Sequence, residues 1–183
     1  MNSPTNKKTR RSFIKTSTAA AVTATSIPRK SRAFEGGSEQ IKVGLVGCGG
    51  KGTSDIRQVL GVGGNVKLWA MGDALDRNAQ NKFKQLSADR NKEKVDCKDR
   101  VFSGIDAYQK VIDSGVDIVF LVTSPGFRPV HFDYAVEQGK HVFMQKPCSV
   151  DGRGSRMLLE SNKKAKAKGL KVGVGFQRRH DAR

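Results

Sequence analysis

"IKVGLVGCGGKG", residues 41–52, is an alternating apolar run that ends in glycines. Gly47, Gly49 and Gly52 stand in the spacing G-x-G-x-x-G, with Gly50 beside them, where a strand gives way to a helix. The spacing has a mechanical reason: the first glycine makes the tight turn, the second lets backbone approach a pyrophosphate, and the third packs helix against strand. Amides at the start of the helix then face the phosphates. Glycine turns are common in α/β chains, so the motif gains its weight from the next apolar run. That run, "VKLWAMGD", closes on Asp73, 21 residues after Gly52. An acid there can accept hydrogen bonds from a ribose diol and repel a 2′-phosphate, which favours NAD over NADP. Two alternatives share these features: Asp73 can serve only to cap the next helix, and a methyltransferase also uses a glycine turn followed by an acid.

Outward from this stretch, short apolar runs alternate with helix-like segments. Strands are predicted near 41–47, 66–71, 100–103, 117–123, 141–145 and 171–176, and helices near 51–61, 76–88, 105–113, 129–138 and 152–168. Ala79, Phe83 and Leu86 show the helical spacing. Six strands alternating with five helices predict βαβ units and an α/β fold, a Rossmann-type doubly wound parallel sheet. At 183 residues the chain holds one such domain with a core of its own.

The formal charge of +17 raises the question of nucleic acid. Eight basic side chains and no acid lie in residues 1–33, which leaves +9 for the rest. Much of that remainder sits in "NKKAKAKGLK", the solvated face and end of a helix, without aromatic residues to stack on bases. No nucleic-acid partner is expected. Cys48, Cys97 and Cys148 are widely spaced, with no C-x-x-C pair, so neither a disulfide framework nor a metal site is indicated.

"TRRSFIK", Thr9 to Lys15, matches the twin-arginine export pattern. Thr16 to Pro28 comes next as 13 uncharged, mildly apolar residues, too short for a bilayer span of roughly 20 residues. Ser31 and Ala33 then offer the small residues a signal peptidase requires. A basic tail or a mitochondrial presequence would share this composition. The order of the three features favours export through the twin-arginine machinery, hence a periplasmic or extracellular location, with residues 1–33 as signal peptide and 34–40 as linker. The nucleotide-binding domain is then expected over 41–176.

"VDIVFLVTSPGFRPVHFDYAVEQGKHVFMQKPCSVD", Val116 to Asp151, resembles the Gfo/Idh/MocA oxidoreductases, and "GKHVFMQKP" is the most specific part. The resemblance runs from Ile41 to the last residue. It implies an NAD(P)-binding domain, a sugar, polyol or related hydroxy compound as substrate, and hydride transfer at the nicotinamide. An NAD-assisted glycosidase is a variant of the same chemistry. The family's Glu-Lys-Pro falls on Gln145, Lys146 and Pro147. The lysine is expected to reach the nicotinamide ribose and the substrate, where a cation can orient a hydroxyl and assist its proton transfer. A cis Lys146–Pro147 bond is implied as well. The family's Thr-Pro-Asn falls on Thr123, Ser124 and Pro125, which are expected to line the cofactor crevice.

Two departures matter. Gln145 replaces the family's glutamate, keeping an acceptor at the cofactor site but losing a negative charge beside Lys146, and Arg128 stands where a histidine is often found. His131 and His141 are read as packing or surface residues, and His180 lies on the terminal tail. In the family a second α/β domain comes next, carries an Asp and a His of the acid/base machinery, and commonly forms the oligomer interface. "QRRHDAR" resembles the start of the crossing into it, so a truncated product is expected, a cofactor half with one catalytic lysine. The competing expectation is a dinucleotide-binding fragment or partner subunit without turnover.

Overall fold

A computed structural model of the protein describes residues 40–179. The expected signal peptide, the linker up to residue 39, and residues 180–183 with His180 lie outside the described residues.

Six strands form one parallel sheet: β1 (Ile41–Val46), β2 (Val66–Asp73), β3 (Val101–Ser103), β4 (Ile118–Leu121), β5 (His141–Gln145) and β6 (Val172–Gly175). Between them run α1 (Gly50–Gly61), α2 (Asp76–Ser87), α3 (Ala107–Asp113), α4 (Arg128–Glu137) and α5 (Gly152–Ala167). The strand order is β3-β2-β1-β4-β5-β6. β1 therefore pairs with β2 on one side, Val43 opposite Leu68, and with β4 on the other, Val43 opposite Ile118. The order reverses between β1 and β4, and a sheet of this kind opens its ligand crevice at that point, beyond the carboxyl ends of the strands.

Helices cover both faces because the central strands are apolar on both. Val43, Leu45 and Phe120 pack with Ile56 and Leu60 of α1 and Leu86 of α2. Val46, Val119 and Leu121 point the other way, toward Val111, Phe132, Val136 and Ala165 of α3, α4 and α5. Two small residues set how closely α3 lies on the sheet. A methyl group on Gly44 would stand 2.8 Å from Val111 Cγ1, and one on Gly72 would stand 2.9 Å from Val111 Cγ2.

The differences from the expected elements are at their ends. β4 stops at Leu121, although the Val122 amide still donates to the Val46 carbonyl at 2.8 Å. α3 starts at Ala107, because Gly104 takes a φ of +105° and turns the chain through residues 105 and 106 first. Residues 88–100 hold a 3₁₀ turn, Lys92–Lys94, and a bridge from Leu68 to Val95, and they bring Cys97 into the core. Gln177–Arg179 form a second 3₁₀ turn.

Candidate functional site

The glycine turn occupies the end of β1. Gly47 has a φ of +98°, and its amide donates to the Gly72 carbonyl at 2.8 Å. A methyl group there would lie 2.7 Å from the Thr123 nitrogen, so the turn lies directly against the chain leaving β4. Gly52 is tighter still, since its methyl would lie 2.0 Å from the Gly47 carbonyl oxygen. Gly49 and Gly50 differ: a methyl on either would meet nothing within 4 Å, and both are exposed. α1 begins here with no side-chain cap and no acid in its first turn. The positive end of a 12-residue helix therefore faces open space beside two residues without side chains, which suits an anion.

Asp73 ends β2 next to this turn. Its Oδ2 accepts from the Cys48 amide at 2.7 Å, and its Oδ1 accepts from the Leu75 amide at 3.0 Å and Asn78 Nδ2 at 3.3 Å. A carboxylate offers roughly four acceptor directions, so capacity remains for a ligand. Cys48 turns inward, and its Sγ donates to the Gly72 carbonyl at 3.3 Å. Burial pushes its thiol pKa far up, with Asp73 and Cys97 adding to the effect, so it acts as a small core residue.

Between Asp73 and Thr123 lies a cleft lined by Val46, Gly104, Tyr108 and His131, with exposed Ile105 at its rim. His131 stacks on Tyr108 at 4.1 Å, and its Nδ1 meets the Thr123 hydroxyl at 3.3 Å. Burial pulls its imidazole pKa down to about 4, so the ring is neutral at physiological pH. His141 is a different case, its Nδ1 accepting from the Lys171 amide at 3.0 Å.

Thr123 lies against the glycine turn, whereas Ser124 is exposed and Pro125 half-buried in the loop before α4. Beyond β5 the Lys146–Pro147 peptide is cis and the Lys146 side chain is exposed. Arg128 braces this turn from α4. It is buried, and its Nη1 donates to the Gln145 carbonyl at 2.6 Å and to the Pro147 carbonyl. Gln145 is buried too, and its Nε2 donates to Asp55 Oδ2 at 2.7 Å.

Sequence reasoning misses Arg128 as a brace, and Asp55, Lys51 and Gln177 as neighbours of Gln145. Asp55 stands four residues after Lys51, a helical ion-pair spacing, which is the one local signal it carries. Its contact with Gln145 spans 90 residues and leaves no pattern in the sequence.

Comparisons with known proteins agree with this architecture. Residues 41–176 match the model of the Gfo/Idh/MocA group, described as an oxidoreductase family with an NAD-binding Rossmann fold. Inositol 2-dehydrogenase of Paracoccus denitrificans is 31% identical over 144 residues, covering 77% of this chain and 38% of that protein. The NAD(+)-dependent scyllo-inositol 2-dehydrogenase of Bacillus subtilis is 27% identical over 142 residues, 78% of this chain and 37% of that one. The crystal structure of scyllo-inositol dehydrogenase from Lactobacillus casei, with NAD(H) and scyllo-inositol bound, superposes with a TM-score of 0.63 at 24% identity, over 79% of this chain and 38% of that one. The chain thus spans somewhat over a third of the length of these relatives. With the family model matching most of the chain, and the glycine turn, Asp73 and strand order in place, the chain belongs to the Gfo/Idh/MocA oxidoreductase family, and residues 41–176 are its NAD-binding Rossmann fold.

Proposed function

We propose that this chain is the cofactor-holding part of an exported oxidoreductase that transfers hydride between NAD and a polyol, sugar or related hydroxy compound. The observation that carries the reading is the open glycine turn: Gly52 packs against Gly47 while Gly49 and Gly50 leave the helix start uncovered. The amides at the start of α1 would hold the pyrophosphate, and Asp73 the adenosine ribose. Bound there, NAD would supply the hydride acceptor. Thr123, Ser124 and Pro125 would border the crevice between the two halves of the nucleotide.

Lys146 is the proposed catalytic residue. It is exposed at the carboxyl end of β5, where substrates of such sheets bind, and its ammonium group can donate to a substrate hydroxyl and orient it. The polyol class is supported by the inositol dehydrogenases among the relatives. Export is supported by "TRRSFIK" and the apolar stretch after it. A second reading, a dinucleotide-binding protein without turnover, draws on Gln145 in place of the motif's glutamate.

Calorimetric titration of this chain with NAD and ADP, together with a polyol-dependent NAD reduction assay on the longer, two-domain protein that the first reading implies, separates these readings. Binding with reduction is the expected result for the enzyme. Binding without reduction of any polyol would favour the second reading, and absence of NAD binding would refute both. Lys146→Ala should abolish that reduction and leave the affinity of this chain for ADP unchanged.

A further inference from the structure

The acid absent from position 145 has a counterpart on another element. Asp55 lies on α1 with 7% of its surface exposed, its Oδ2 bonded to Gln145 Nε2 at 2.7 Å and its Oδ1 paired with Lys51 Nζ. Gln145 is held on the far side by β6, where a methyl on Gly175 would stand 2.7 Å from its Nε2. Gln177 completes the cluster: with its amide oriented so that both ends find partners, its nitrogen donates to the Gly175 carbonyl at 3.0 Å and its oxygen accepts from Lys51 Nζ at 3.1 Å. A buried carboxylate without partners would be costly, and here both oxygens are engaged.

We propose that Asp55 is a positioning residue that supplies the carboxylate of this turn: the acid that the family motif carries on β5 is carried here by α1, with Gln145 as the amide that receives it. The bond fixes the end of β5, and Lys146 is the next residue. The cluster lies on the opposite side of β1 from Asp73, hence at the nicotinamide end of the crevice. This rests on the proposed role of Lys146. Among the described residues Lys51, from the same helix, is the charged group in contact with Asp55. β5 and the Gln177 turn present amides, and Arg128 of α4 reaches the Gln145 carbonyl rather than its side chain.

Exchanging acid and amide tests the pair. In Gln145→Glu two carboxylates would meet across a hydrogen-bond distance and hold together only by sharing a proton. The folded state then keeps a proton that the unfolded chain releases above about pH 4, so stability relative to the parent falls as pH rises from about 5 to about 8. The double variant Asp55→Asn/Gln145→Glu restores one acid and one amide, and should melt like the parent without that added pH dependence. NAD affinity, measured below the melting temperature, should weaken about tenfold in Gln145→Glu between the same pH limits and recover in the double variant. Affinity for ADP, which lacks the nicotinamide-side ribose, should stay constant throughout.

A Gln145→Glu protein as stable as the parent at both pH values would overturn the pairing, as would a double variant no better than the single. Recovery of melting with identical NAD affinity in every variant would overturn the positioning role. A parent that binds neither ligand would refute the cofactor reading instead, a result distinguishable because the melting comparison needs no ligand.

Discussion

Gly49 and Gly52 belong to one motif, yet the structure assigns them opposite sensitivities to the same substitution. Gly49 has a φ of −66° and a ψ of −176°, which alanine adopts freely, and its added methyl would touch nothing. Gly49→Ala should therefore leave the unliganded protein as stable as the parent or raise its stability by about 0.4–1 kcal/mol, through the smaller entropy of the unfolded chain. At Gly52 the methyl would lie 2.0 Å from the Gly47 carbonyl oxygen and 3.2 Å from Leu45 Cδ1, and the oxygen belongs to backbone already held by the Gly72 carbonyl bond. α1 would have to move off the sheet by about 1 Å, an overpacking cost of about 3 kcal/mol, or about 10 °C in Tm for a domain of this size.

Binding reverses the order of sensitivity. The Gly49 methyl enters the space that a phosphate would occupy, and loss of one or two charge-assisted bonds at about 1.5–3 kcal/mol each predicts NAD affinity weaker by about 100-fold. Calorimetric melting without ligand and titration with NAD measure the two effects separately. Gly49→Ala binding NAD as tightly as the parent would refute the assignment of this turn to the pyrophosphate. Gly52→Ala melting with the parent would refute the packing argument.

Asp73→Ala should weaken NAD by about tenfold and NADP less, through loss of an acceptor for the ribose diol, as read by titration with both nucleotides. His131 gives stability a pH dependence. Its folded pKa lies near 4, below the ordinary 6.5, so the unfolded chain takes up a proton that the folded chain refuses. Stability is full above about pH 6.5 and falls by about 3 kcal/mol toward pH 4; His131→Phe, which keeps the stack on Tyr108, should lose less over that range in melting scans. Cys148 is half-buried whereas Cys48 and Cys97 are buried, with the Cys97 thiol pushed up to about 12 by burial, so alkylation of the native protein should modify Cys148 first and the other two only on unfolding.

The proposed adenine end is legible in the sequence because one βαβ unit builds it. Gly47 to Gly52 and Asp73 are separated by a single helix, and each has a residue type dictated by local geometry: a positive φ, a close contact, a strand-end acceptor. The alternation of strands and helices is legible for a similar reason, since period and punctuation are local. Element ends are less so. Nothing in "VFSGID" shows that Gly104 delays α3 to Ala107, because that depends on the chain bonding back to the Asp73 carbonyl at 3.2 Å through the Gly104 amide.

The proposed nicotinamide end is assembled differently, and this changes how its motif should be read. Asp55 comes from α1, Arg128 from α4, Gln145 from β5 and Gln177 from the turn after β6, and they meet through contacts as much as 90 residues apart. Where side chains from separate elements converge, what the fold constrains is the set of donors and acceptors at the meeting point, not which element carries each one. A glutamine at the motif position is compatible with a carboxylate at the site if a neighbour provides it, and Asp55 is placed to do so. The substitution at position 145 therefore weighs less against turnover than the sequence alone suggests, and the exchange of acid and amide between 55 and 145 is the experiment on which that weight depends.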